Sequence, residues 1–173
     1  MELDLPILFL AVFLIPASIK DYLSYRIPNW VTFPALATGL GYFFLTRGVD
    51  GFLFSLGGVL TGFALLLLPY LIGGSGAGDV KLMGAVGSFL GPKGAFAVFL
   101  FSCIFAGVHA LSLMASRGVL VDGLKRYGRI LKTFFLTRQF IYIPPGRREK
   151  ELKISYGLAI TLGTASYWFW LNA

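Results

Sequence analysis

The sequence predicts an all-α, polytopic membrane protein with about six transmembrane helices and one amphipathic helix at the membrane surface. The chain of 173 residues is 57% hydrophobic and only 13% charged, whereas soluble domains contain about 25% charged residues. Its apolar residues form runs, most of them close to the roughly 20 residues that a helix needs to cross a bilayer. We therefore expect residues 1–173 to form a single membrane-embedded domain.

Six apolar runs account for the predicted spans. The first, residues 5–19, leads into charged sequence and not into a small-residue cleavage site, so we expect it to be retained as a span. Gly58 and Gly62 lie four residues apart in the third run, which predicts close approach of a neighbouring helix. The other runs are residues 30–46, 51–72, 80–90, 95–115 and 154–171, with turns at 47–50 and 91–94.

The fourth run, residues 80–90, is short for a full crossing. Three explanations remain open. The helix begins within the preceding glycines, the bilayer is thin at this point, or Asp79 lies below the headgroups in a water-filled pocket.

Residues 119–135 differ from the six runs because their apolar side chains recur at helical spacing. Leu124 and Phe135 lie on one face of such a helix, and Lys125 and Arg129 lie on the opposite face. This pattern is typical of a helix that lies in the plane of the membrane interface. A solvated surface helix is the alternative, but the chain has no predicted soluble domain against which that helix would pack.

The distribution of Lys and Arg predicts the orientation. If all six runs cross, all but two of the 15 basic residues lie on one side, in residues 20–29, 73–81 and an amphipathic basic segment over about 117–153. We expect the protein to lie in the cell (inner) membrane. The positive-inside rule then places these segments and both aspartate-bearing ends on the cytoplasmic side, and both termini on the outer side. The net charge is +7, and the basic residues lie in loops beside apolar spans. We therefore expect anionic membrane lipid and not nucleic acid as a partner.

Two aspartates lie at the ends of apolar runs on the predicted cytoplasmic side. Asp79 ends the glycine-rich part of residues 73–81, GGSGAGDVK, and Asp21 follows the first run. A carboxylate so placed is costly unless it is used or neutralised, and the macrodipole at a helix C-terminus further disfavours the charge of Asp21. The alternatives are a solvated loop acid for Asp21 and a helix N-cap for Asp79.

Two carboxyl groups held a few ångströms apart cannot both ionise easily and therefore share a proton. The ionised group takes a proton from water, and the protonated group polarises a peptide carbonyl, which leads to peptide cleavage without a cofactor. The single cysteine, Cys103, excludes an internal disulfide and a cysteine-rich zinc site. Glycines before Asp79 would admit an extended substrate backbone. Lys81 would tune the pair, orient the substrate or anchor the helix at the interface.

These residues resemble the paired signature of a known family. Asp21 precedes the stretch RIPN at residues 26–29, and residues 76–81 read GAGDVK; both are similar to motifs of the type IV prepilin peptidases and archaeal preflagellin peptidases, membrane aspartyl proteases with a GxGD motif. Residues 154–159, ISYGLA, resemble the family's closing motif, which usually has a proline where this chain has Ser155 or Leu158. The likeness covers nearly the whole chain.

The resemblance implies that Asp21 and Asp79 are the catalytic pair. It implies a type IV pilin-like or preflagellin precursor as the substrate, whose short basic leader is cut at the cytoplasmic face, usually after a glycine. The residues that we expect to bind substrate or support the pair are Arg26, Pro28, Asn29, Gly76, Gly78 and Lys81.

Larger members of the family carry an additional cytoplasmic domain, often with paired cysteines for zinc, and also methylate the new N-terminus. This chain has no such cysteines and no such insertion between its first two runs. It resembles the compact, peptidase-only form of tight-adherence pilus systems and archaeal relatives, so N-methyltransferase activity is not indicated.

Two other functional classes remain open. A small proton- or cation-coupled transporter would use the same two aspartates, but it predicts an acid near the middle of a span, whereas Asp21 and Asp79 lie at span ends. A noncatalytic membrane scaffold would use aspartates to cap helices, which suits Asp79 but not Asp21.

Overall fold

The computed structural model describes residues 4–138 and 154–173, and every secondary-structure element within them is helical. The all-α prediction is therefore confirmed for this part of the chain. Three of the described helices are long and apolar enough to cross a membrane, which does not confirm the predicted count of six. The helices are α1 (Asp4–Ser24), α2 (Asn29–Leu71), α3 (Ala77–Ser116), α4 (Leu120–Thr137) and α5 (Tyr156–Asn172).

Helix α2 reverses direction at Gly48, within the predicted turn. Gly48 has φ 62° and ψ −142°, a conformation that is essentially restricted to glycine. The rings of Phe43 and Phe54 are 5.1 Å apart, whereas a straight helix would separate their backbones by roughly 16 Å. Two arms of α2, residues 29–47 and 49–71, therefore lie side by side and correspond to the second and third apolar runs.

Helix α3 is interrupted at Gly91, which has φ 68° and ψ −175°. Pro92 follows and suits the first position of a new helical arm. The first arm begins at Ala77, so the helix of the fourth apolar run starts within the glycine-rich stretch. Of the three explanations for the short run, this one agrees with the structure.

Glycines bring the second arm of α2 and the first arm of α3 into close contact. A Cβ added to Gly58 would overlap the carbonyl oxygen of Gly87, and one added to Gly62 would overlap that of Met83. Ser55 Oγ donates a 2.7 Å hydrogen bond to a backbone carbonyl on the facing arm. The predicted packing role of Gly58 and Gly62 is confirmed, because backbone approach of this kind requires small residues.

The chain divides into two compact units, Met1–Ala106 with Ser155–Ala173, and Gly107–Ile154. In the first unit, α5 packs against α1, and the hydroxyls of Ser18 and Thr161 form a hydrogen bond between them. The core of this unit is contributed by α1, α2, α3 and α5. Its fully buried side chains include Leu10, Leu66, Leu82, Met83, Val86, Phe89, Val98 and Ile160.

The second unit contains α4, the helix predicted from amphipathic spacing. Leu124 and Phe135 on its apolar face are 67% and 77% exposed, respectively. Lys125 and Arg129 on the other face are also exposed. The predicted helix is confirmed, and its position in a membrane interface stays a prediction. The remainder of the predicted basic segment, residues 139–153, lies outside the described residues.

Candidate active site

Asp79 is the third residue of α3 and is held by the start of its own helix. Its Oδ2 accepts a 2.8 Å hydrogen bond from the backbone N–H of Gly76, the residue that precedes α3. This is one half of a capping box, in which an acid at the third helical position bonds back to the N-cap N–H. Although the glycine loop before it is largely exposed, Asp79 itself is only 8% exposed.

Asp21 lies in the last turn of α1 and is held by a different helix. Its Oδ2 accepts a 2.7 Å hydrogen bond from Ser155 Oγ and a 2.8 Å hydrogen bond from the backbone N–H of Gly157. Gly157 is the second residue of α5, so the carboxyl group of Asp21 binds the N-terminus of α5. A helix N-terminus favours an anion, which offsets the unfavourable C-terminal end of α1.

The two acids come to the same end of the unit around the side chain of Ile27. A Cβ added to Gly78, the residue before Asp79, would lie 2.9 Å from Cβ of Ile27. A Cβ added to Gly157 would lie 3.0 Å from Cδ1 of Ile27 and 3.0 Å from Oδ2 of Asp21. Asp21 and Asp79 also interact electrostatically. One buried side chain therefore contacts the supports of both carboxyl groups.

A second link joins the beginnings of α2 and α3. Lys81 Nζ donates a 2.9 Å hydrogen bond to Oδ1 of Asn29 and lies 5.2 Å from the centre of the Phe33 ring. The ammonium group therefore makes a charge-assisted hydrogen bond and a cation–π contact. Lys81 holds two helix ends together beside the aspartates.

Comparison with known families shows to which family the chain belongs. The sequence profile of the type IV leader peptidase family matches residues 8–111, which contain both Asp21 and Asp79. The chain belongs to the type IV leader peptidase family. Neither a curated protein nor a solved structure matches the chain.

Membership confirms the family that the motifs resemble. Type IV leader peptidases are proteases of the aspartic type that act on pilin-like precursors, and three apolar helices agree with a membrane-embedded member. The match ends before α5, so the family profile does not cover the hydrogen-bond donors that Ser155 and Gly157 supply to Asp21.

Most of the other residues predicted for the leader peptidase site lie beside the aspartates, whereas Arg26 has no described contact with them. Gly76 donates to Asp79 and Gly78 leaves room for Ile27, as described above. Pro28 is half-buried directly before α2 and has an extended backbone, and a proline disfavours helical geometry in the residue before it, here Ile27. Arg26 is exposed, and no described contact joins it to either carboxyl group.

Three residues of the closing motif belong to the site although the sequence prediction did not include them. Ser155 and Gly157 bind Asp21. Between them, Tyr156 interacts electrostatically with Asp79, and its hydroxyl lies 3.8 Å from Cys103 Sγ. The available signal was the motif itself, ISYGLA, which marks the family but does not indicate which residue it faces.

The described residues contain no cluster of three or more His, Cys, Asp or Glu side chains that could hold a metal ion. The groups that the structure brings together are the two carboxyl groups, the hydroxyls of Ser155 and Tyr156, and the backbone N–H groups of Gly76 and Gly157. Such a set is suited to moving protons between water, a carbonyl oxygen and an amine.

Proposed function

We propose that this protein is an aspartic endopeptidase that removes the short basic leader from type IV pilin-like or preflagellin precursors at the cytoplasmic membrane face. The observation that carries the proposal is the arrangement of Asp21 and Asp79. They come from different helices, are both buried, and are supported on either side of Ile27. Burying two carboxyl groups near each other is costly, and shared proton chemistry is the use that such pairs have in aspartic proteases.

In the proposed mechanism Asp21 is the base and Asp79 is the acid. Oδ2 of Asp21 accepts two hydrogen bonds, and a proton on that oxygen would oppose the N–H of Gly157. Asp21 therefore takes a proton from the attacking water, while Asp79 gives its proton to the carbonyl oxygen of the scissile bond. The tetrahedral intermediate collapses when Asp21 passes its proton to the leaving amine and the C–N bond breaks. As the carbonyl re-forms, a hydroxyl of the intermediate returns a proton to Asp79, so the pair again holds one proton.

The backbone around the pair supports binding of an extended substrate. The loop before Asp79 is exposed at Gly73, Gly74 and Gly76, so a peptide can approach its main chain without side-chain hindrance. The residues of a precursor that flank the cleaved bond must be extended to place a carbonyl between two acids. Arg26 is exposed. In our proposal it is a residue that binds the precursor.

We further propose six crossings: α1, the two arms of α2, the two arms of α3, and α5. The reversal at Gly48 and the interruption at Gly91 support this topology, because each divides one long helix into two arms. Helix α5 has 17 residues and is thus about 26 Å long, close to the roughly 30 Å of the hydrocarbon core. With six crossings, the end of α1 and the starts of α3 and α5 all lie on the cytoplasmic side.

Anionic lipid is the partner that we propose for α4. Its apolar side chains Leu124, Phe134 and Phe135 are exposed, and Lys125 and Arg129 lie on the opposite face. A helix with this division lies flat in the headgroup region and is attracted by negative lipid.

Incubation of the purified, detergent-solubilised protein with candidate precursors tests the proposed activity. Mass spectrometry of the released leader identifies the cleaved bond. The control is the double variant Asp21→Asn, Asp79→Asn, purified in the same way, which reports cleavage by contaminating proteases. We expect leader release by the natural protein alone. Equal release by the double variant, or no release from any pilin-like precursor, contradicts the proposed function.

A further inference from the structure

We propose that Ser155 is a positioning residue that fixes the carboxylate of Asp21 for its role as base. This inference rests on the proposed function. Ser155 Oγ lies 2.7 Å from Oδ2 of Asp21, and the two residues are 1% and 5% exposed. Water therefore does not compete for this hydrogen bond, which joins a neutral donor to a carboxylate and belongs to the stronger class.

The capping geometry of α5 shows that Ser155 serves Asp21 and not its own helix. Ser155 is the N-cap residue of α5, where a serine oxygen normally accepts a hydrogen bond from the second or third N–H of the helix. Ser155 makes no such side-chain bond. The N–H of Gly157, the second of the helix, is instead bound by Asp21, so the aspartate caps the helix and the serine hydroxyl holds the aspartate.

Both donors bind Oδ2 of Asp21, and this also fixes the position of the other carboxylate oxygen, Oδ1. With Oδ2 held by Ser155 Oγ and Gly157 N, the carboxylate cannot rotate, and its Oδ1 keeps one orientation. Oδ1 is then the oxygen available to the attacking water. Without the hydroxyl of Ser155, the Gly157 N–H is the one donor to Oδ2 that remains among the described residues, and the carboxylate is free to turn about that hydrogen bond.

The chain offers a matched control at Ser18, three residues before Asp21 on α1. Ser18 is also buried, and its hydroxyl also joins α1 to α5, through Thr161. Its Oγ lies 2.8 Å from the Leu14 carbonyl oxygen and 3.4 Å from the Gly157 carbonyl oxygen, and it makes no described bond to the carboxyl group of Asp21. Ser18→Ala therefore removes a buried hydroxyl from the same interface and leaves the donors of the carboxylate in place.

The test compares Ser155→Ala, Ser155→Thr and Ser18→Ala in leader cleavage. We expect Ser155→Ala to lower kcat by about 10- to 100-fold, which is the effect of losing one hydrogen bond to a buried charged group, with little change in KM. Ser155→Thr keeps the hydroxyl and restores kcat toward the natural value. Ser18→Ala keeps kcat within about threefold. A kcat for Ser155→Ala equal to that of Ser18→Ala overturns the proposal.

A measurement without substrate separates this inference from the proposed function. The infrared carboxylate band of Asp21 is identified by its loss in Asp21→Asn. We expect that band to shift in Ser155→Ala and to stay in place in Ser18→Ala. An unchanged band in Ser155→Ala refutes the positioning role. If the natural protein cleaves no precursor, the proposed function fails, while the infrared comparison still decides whether Ser155 holds Asp21.

Discussion

The backbone N–H of Gly157 donates a 2.8 Å hydrogen bond to Oδ2 of Asp21, across 136 positions of the chain. This bond ties the start of α5 to the end of α1 and places the positive end of one helix dipole at a carboxyl group. The space between the two residues is filled, since a Cβ on Gly157 would lie 3.0 Å from that same oxygen. Glycine at 157 therefore allows Asp21 to approach the start of α5 this closely.

The first prediction follows from this contact. Gly157→Ala places a methyl group against Asp21 Oδ2 and the Ile27 side chain, which displaces the carboxyl group. A contact of this length is relieved by a shift of a few tenths of an ångström. Since a shift of roughly 1 Å at a reacting group costs about 100-fold, we expect the rate of leader cleavage to fall by about tenfold. The control is Gly41→Ala, because a Cβ at Gly41 meets no described atom within 4 Å. Natural activity in Gly157→Ala would show that Asp21 tolerates this displacement.

The second prediction concerns the link between Lys81 and Asn29. Lys81→Met and Asn29→Ala each remove the 2.9 Å hydrogen bond, and each should lower the free energy of unfolding by about 0.5 to 1 kcal/mol. Since both remove the same bond, the double variant should lose less than the sum of the two. Thermal or denaturant unfolding in detergent measures the three values. Strict additivity would show that the bond does not contribute to stability.

The same variants distinguish a structural from a catalytic role for Lys81. No described contact joins Lys81 to a carboxyl group, so we expect Lys81→Met to reduce kcat less than tenfold. A loss as large as that of an aspartate variant would place the ammonium group in the reaction.

The third prediction tests the six crossings by labelling of single cysteines. In a Cys103→Ala background, Ser24→Cys and Gly74→Cys should react only with reagents admitted to the cytoplasmic side. Asp50→Cys and Lys93→Cys lie next to the breaks in α2 and α3 at Gly48 and Gly91 and should react only from outside. All four native positions are exposed, so reactivity reports the side of the membrane. Reaction of Asp50→Cys from the cytoplasm would remove two of the six crossings.

Local features of the chain were predictable from the sequence. Gly48 and Gly91 lie in the predicted turns, because a glycine between apolar runs supplies the positive φ that a reversal needs. The close approach at Gly58 and Gly62 follows from their spacing on one helix face. The amphipathic helix α4 was predictable from the helical spacing of its apolar residues. Each of these features depends on residues within a few turns of one another.

Partners that are distant in sequence were not predictable in the same way. The helix C-terminus at Asp21 predicts an unfavourable position for a charge, and only the packing of α5 against α1 reveals the N–H and hydroxyl that favour it. Nothing in the sequence near Ser155 distinguishes a residue that caps its own helix from one that binds an acid. Arg26 shows the opposite case, since it belongs to a motif but makes no described contact with the pair.

The central claim is that Asp21 and Asp79 act together as the acid and base of peptide cleavage. The most direct test is the rate of leader release by Asp21→Asn and by Asp79→Asn, each purified in detergent and shown to be folded by its helical circular dichroism. We predict that each substitution lowers the rate by roughly 10³-fold or more, because each removes a group that must transfer a proton. Release at more than about a tenth of the natural rate by either variant would contradict the account.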